Sequence, residues 1–164
     1  MRSFALRFAL AFVLLEALVY LVLWSGPLFD PYAALNARWT TALLAPFLDG
    51  ARAEGAYLVT PTFSMQVRPG CDGFQASAVL LAGIVAFPAT MRRKWIGALL
   101  GIGALLVLNL ARLGVLLWTG VHARGSFQSM HLEILPAVFV GVALFLLLGW
   151  AVWARGATER CPAP

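Results

Sequence analysis

Residues 95–118 read WIGALLGIGALLVLNLARLGVLLW, a run with one charged residue, Arg112, and one other strongly polar residue, Asn109. About 20 apolar residues in helical form cross a hydrocarbon core of about 30 Å. A helix also satisfies its own backbone groups where no water can. This stretch therefore reads as a membrane-spanning helix, and the rest of the chain is read outward from it. Arg92, Arg93 and Lys94 precede it, and before them an apolar run over 74–89 is ended by Pro88. After it come a short polar loop over 120–130 and a second long apolar run over 132–153, with Glu133 at its start and Arg155 closing it. A first apolar run, 4–24, is interrupted only by Arg7 and Glu16. Composition agrees: 62% of the 164 residues are hydrophobic and 12% are charged, against roughly a quarter charged in soluble domains. The expectation is an all-α integral membrane protein with about four transmembrane helices, forming a single polytopic domain over 1–164.

Charge placement sets the expected orientation. Arg2 and Arg7 precede the first run, Arg92-Arg93-Lys94 joins the second to the third, and Arg155 and Arg160 follow the fourth. All three groups fall on one side, which the positive-inside rule makes cytoplasmic. Both termini are then cytoplasmic, and residues 25–73 form an extracytoplasmic segment. The net charge of +5 is accounted for by this placement and does not point to nucleic acid. The first run is longer than a signal-peptide core and lacks a small-residue cleavage site, so it reads as a retained helix. The two cysteines, Cys71 and Cys161, fall on opposite sides of this topology and are not expected to pair.

The outer segment has structure of its own. Leu35, Trp39, Leu43, Leu44 and Phe47 recur at helical spacing over 32–48, as in a helix lying in the interface, with Pro46 weakening its end. Over 57–67, Phe63, Met65 and Val67 alternate with Thr62, Ser64 and Gln66, a short strand or hairpin signal. Pro69-Gly70 then turns the chain into Cys71.

Three residues carry chemistry. Cys71 lies between two glycines in Arg68-Pro69-Gly70-Cys71-Asp72-Gly73, just before a helix whose dipole favours thiolate. Alone, a cysteine there reads equally well as an inert small residue. Arg112 lies about six residues, or roughly 9 Å, inside the outer end of its helix. It can snorkel outward, but an intramembrane arginine is by default a functional residue. Asn109, one turn earlier, is placed to hold the guanidinium or to bond between helices. His131, at the outer start of the fourth run, is a proton carrier near neutral pH, with His122 as its competitor. Charge and hydropathy alone bring all three residues to one face of the membrane. A nucleophile, an acid/base and a cationic stabiliser together suit acyl transfer. Ser64, Ser126 and Ser129 have no motif around them, and nothing calls for a metal or cofactor.

The Gly70-Cys71-Asp72-Gly73 stretch, the Asn109-Leu110-Ala111-Arg112 stretch and His131 resemble the Cys, Arg and His motifs of the exosortase/archaeosortase family, most closely its small H-type exosortases. The likeness covers 59–153; the first helix agrees only in character. This resemblance implies a bacterial inner-membrane cysteine transpeptidase or protease whose active site faces the periplasm. Its partners would be membrane-anchored proteins with a C-terminal signal made of a motif, a transmembrane helix and a basic tail. Cys71 would form a thioester acyl-enzyme, His131 would protonate the departing amine, and Arg112 would stabilise the thiolate or oxyanion. Asp72 departs from the Ser or Asn frequent after the family's cysteine. An adjacent carboxylate raises a thiol pKa unless Arg68 or Arg112 offsets it. The competing reading is a non-enzymatic membrane protein, an assembly factor or transporter subunit, using Arg112 and Glu133 as a structural pair.

Overall fold

The computed structural model describes residues 2–24 and 27–156; Arg160 and Cys161, used in the topological argument, lie outside them. α1 (Arg2–Leu18) runs into a π-helical stretch over Val19–Trp24 and packs along α3. α2 (Phe29–Leu44) is followed by β1 (Arg52–Glu54), β2 (Tyr57–Val59) and β3 (Ser64–Gln66), then by α3 (Phe74–Ala86), α4 (Met91–His122), α5 (Arg124–Ser129) and α6 (Leu135–Gly156). Among the described residues, three helical stretches are long and apolar enough to cross a membrane: Ser3–Leu23, Met91–His122 and Arg124–Arg155. α3 is apolar but has 13 residues, about 20 Å at 1.5 Å per residue, less than the hydrocarbon thickness.

Three helix boundaries and one loop differ from the sequence expectation. α3 stops at Ala86, because Phe87 is extended (ψ 137°) ahead of Pro88. α4 extends beyond 95–118 at both ends, which places Arg112 ten residues from its C-terminal end at His122. The loop expected over 120–130 is almost wholly helical, with Ala123 as the break between α4 and α5. Hydropathy marks where apolar composition ends, and a helix can continue past that point into polar sequence.

Small residues set the helix spacing, the usual basis for close packing where lipid removes the hydrophobic drive between helices. A Cβ at Gly83 would lie 3.0 Å from Leu147 Cγ, and one at Gly97 2.8 Å from Trp150 Cε2. Leu80, Ile84, Leu105, Phe139 and Ala143 fill the space between α3, α4 and α6.

A second core sits at the other end. The sheet is antiparallel in the order β1-β2-β3, with Leu58 opposite Met65. Both are buried, together with Val67, against Leu113, Leu116 and Leu117 of α4 and Phe29, Ala33 and Ala37 of α2. The hairpin expected over 57–67 is present, with a third strand beside it. Glu54 faces Tyr57 across a two-residue turn that Gly55 enters at φ +58°. α2 turns its small and polar residues inward (Ala33, Asn36, Ala37, Thr40, Thr41) and leaves Leu35, Trp39 and Leu43 exposed. That inversion of the soluble pattern is the one expected of a helix whose apolar stripe faces lipid.

Candidate active site

Cys71 belongs to this second core and is 5% exposed. Its position follows from a tight turn. Gly70 adopts φ +90° and the Cys71 amide donates to the Arg68 carbonyl at 2.9 Å. Pro then Gly at the two central positions suits a type II turn, which needs φ > 0 at the second. Gly73 follows at φ +81° as the residue capping α3. A Cβ there would come within 3.3 Å of Asn109 Cγ, so α4 also presses on this glycine. At Gly70 a Cβ would meet nothing within 4 Å, which leaves open space at this turn.

Asp72 is fully buried. Its carboxylate accepts from the amides of Gly70 (3.3 Å) and Phe74 (3.0 Å), and its carbonyl accepts from the Tyr32 hydroxyl (2.8 Å). The aspartate, not the thiol, therefore sits on the positive end of α3. Burial pushes the Cys71 thiol above its ordinary range, the nearby Arg112 guanidinium pulls it down, and Asp72 pushes it up. Arg68 gives no side-chain offset, since its exposed guanidinium turns to Gln66 Oε1 (2.9 Å).

His131 meets the cysteine with Sγ 3.7 Å from both Nδ1 and Nε2. The backbone there is π-helical over Met130–Ile134, with the Leu135 amide bonded to the Met130 carbonyl. Pro136 supplies a cause: it has no N–H and its ring crowds the carbonyl four residues back, so the preceding turn widens. Phe127 lies parallel to the imidazole (5.7 Å, 9°) and packs edge-on against Phe63 (5.1 Å). His122 is elsewhere, stacked on Trp118 at 4.2 Å and bonded to the Trp118 carbonyl.

Arg112 is 7% exposed, its guanidinium lies over Phe139 (5.6 Å), and its buried Nε has no hydrogen-bond partner among the described residues. Cys71 and Asp72 are its electrostatic neighbours. Glu133 is exposed. Arg112 borders a cavity of about 30 Å³ with Gly70, Gly73 and Gln75 on one side and Pro136, Phe139 and Val140 on the other. That is room for a water-sized group. Asn109 bonds between helices, its Nδ2 donating to Asn36 Oδ1 at 3.4 Å, while Asn36 donates to the Tyr32 carbonyl. Its Oδ1 is buried without a partner among the described residues.

The geometry thus gathers Cys71, His131, Arg112, Asn109 and Asp72, and leaves Arg68 at the surface. Sequence reading passed over Tyr32, Asn36, Phe127 and Phe139, which hold these groups from other helices. It also passed over Glu16 of α1, whose buried Oε1 lacks a partner among the described residues and whose electrostatic neighbour is Asp72. A carboxylate inside an apolar run was the one signal available for it. A thiol, an imidazole 3.7 Å from it and a buried guanidinium beside a small cavity can generate a nucleophile, move its proton and stabilise a developing oxyanion.

No curated protein and no solved structure is matched by the chain. The model of the transmembrane exosortases (Exosortase_EpsH) matches residues 2–156. That match takes in α1 and the cysteine, arginine and histidine stretches alike, and by it this multi-pass membrane protein belongs to the transmembrane exosortase family.

Proposed function

We propose that the protein is a cysteine transpeptidase or protease that processes membrane proteins bearing a C-terminal signal of motif, transmembrane helix and basic tail. The observation that carries this reading is Cys71 Sγ at 3.7 Å from both ring nitrogens of His131, with Arg112 buried beside the same loop. The Cys71 thiol passes its proton to His131 as sulfur bonds to the scissile carbonyl carbon. The oxyanion so formed is held by Arg112, whose unpartnered Nε is available for it. Collapse to a thioester breaks the C–N bond, and His131 returns the proton to the leaving amine. A second nucleophile, an acceptor group or water, then attacks the thioester, gives its proton to His131 and releases the thiol. Asn109 and Asp72 hold the loop and α4 in register.

In this reading the whole chain is one membrane domain with both termini cytoplasmic. The sheet and α2 lie on the periplasmic side of a bacterial inner membrane, and α3 serves as a short fourth crossing. Because α3 is only about 20 Å long, its outer end and Cys71 lie within the outer leaflet, level with a substrate's membrane-proximal segment. The non-enzymatic alternative needs an Arg112–Glu133 pair; the exposure of Glu133 and the aromatic seat of Arg112 argue against it.

The test is processing of a substrate with such a tail in membranes carrying wild-type or Cys71→Ala protein at equal abundance. Processing is expected to be lost, and a thioester-linked adduct on Cys71 should be trapped with the wild type. Undiminished processing by Cys71→Ala would refute the reading. Product mass separates transfer from hydrolysis, since hydrolysis adds only water to the new C-terminus.

A further inference from the structure

The end of the bundle opposite Cys71 holds a groove that this chemistry leaves unused. α3, α4 and α6 enclose an apolar hollow of about 440 Å³, walled by Leu80, Ile96, Leu100, Leu146, Trp150 and Trp153. Its size is that of a ligand site. Leu100 and Trp153 are exposed, so it opens sideways.

One end of the groove is strongly basic. Arg92, Ile96 and Leu100 recur every four residues and share one face of α4, and Arg93 and Gly97 share the adjoining face. The indole of Trp150 donates to the Arg93 carbonyl at 3.1 Å, so the groove wall and the basic turn are continuous. The Arg93 guanidinium donates to the Ala154 carbonyl (2.9 Å) and the Lys94 ammonium to the Val85 carbonyl (2.7 Å), which keeps both charges beside the groove. Arg92 is exposed. The first turn of α4 has no acidic residue, and its cap, Thr90, makes no side-chain bond to it. Among the described residues, the positive end of this 32-residue helix has neither a side-chain cap nor a first-turn carboxylate, which suits an anion.

We propose that this groove binds an anionic phospholipid, with one acyl chain along α4 against Trp150 and Trp153 and the phosphate at the first turn of α4 beside Arg92. Charge selects this occupant. A transmembrane segment ending in a basic tail would bring like charge to Arg92, Arg93 and Lys94. A lipid of zero net charge would fill the hollow but gain less at its rim. Basic pockets between membrane helices are recognised seats for anionic head groups. The proposal stands apart from the reading of Cys71, since none of its residues belongs to that site.

The test is native mass spectrometry of the full chain in detergent, titrated separately with phosphatidylglycerol and phosphatidylcholine. Phosphatidylglycerol is expected to bind several-fold more tightly. Arg92→Gln should weaken it by about fivefold and leave phosphatidylcholine unchanged. Leu100→Trp, at an exposed position where the larger side chain fills the hollow without disturbing the core, should weaken both lipids. Equal affinity for the two lipids in the wild type, or no effect of Arg92→Gln, would overturn the proposal. A dimer whose dissociation by Leu100→Trp showed a second copy covering the groove would also overturn it.

Discussion

Gly120→Ala adds one methyl group in α4, remote from the thiol, yet its consequences should reach the imidazole. The new Cβ would lie 2.5 Å from Phe63 Cζ and closer still to other atoms of that ring. Ordinary contact begins near 3.4 Å, so the ring must retreat by about 0.9 Å or more (3.4 − 2.5). It cannot do so alone. Phe63 packs edge-on against Phe127, and Phe127 lies flat on His131. Overpacking of this kind costs about 1–3 kcal/mol in stability. A displacement of about 1 Å at the imidazole can cost on the order of 10²-fold in rate. The assay is the initial rate of substrate processing in proteoliposomes, normalised to folded protein. Phe63→Leu, which relieves the overlap, completes a double-mutant cycle. The double variant should recover part of what Gly120→Ala loses, and the two sites should couple. A destabilised Gly120→Ala protein that processed substrate at the wild-type rate per folded molecule would refute the claim that this aromatic stack positions His131.

Alkylation of Cys71 by a small neutral reagent should be slow at neutral pH and rise only beyond the ordinary thiol range, because burial holds the thiol pKa up. Asp72→Asn removes an upward push and should move the pH–rate curve lower, whereas Arg112→Gln removes a downward pull and should move it higher; stopped-time mass spectrometry reads both. Arg112→Lys should lose most processing activity without loss of abundance, since an ammonium reproduces neither the fork nor the stacking over Phe139. Gly73→Ala should destabilise the protein by about 1–2 kcal/mol from the left-handed backbone alone, with a further cost against Asn109, measurable as a lowered midpoint of thermal unfolding in detergent. Asn36→Leu should be more destabilising than the Asn36→Leu/Asn109→Leu double variant, because the single change leaves a fully buried Asn109 amide with neither partner; the same thermal assay separates them.

Much of the site was legible because its three chemical residues are unusual where they stand. Arg112 interrupts an otherwise apolar run, Cys71 sits between glycines, and His131 opens an apolar run. Each is visible without knowledge of the others. Their supports were not legible, since Phe127, Phe139 and Tyr32 are ordinary aromatic residues in an aromatic-rich chain, and Asn36 is one polar residue in an amphipathic stretch. Arg68 illustrates the opposite error: it is near Cys71 in sequence, but it turns outward to Gln66.

The amino-acid sequence by itself determined which stretches are apolar helices and which end of each is basic. A helix in lipid satisfies its own backbone bonds, so composition decides it segment by segment. Tertiary structure alone decided what those helices turn toward one another. The inward face of α2, the π-turn that aims His131 and the 60-residue separation closed between Cys71 and His131 all depend on helix rotation. That rotation is set by packing between distant segments, at glycines such as Gly83 and Gly97 and against rings such as Phe63, and no local periodicity carries it.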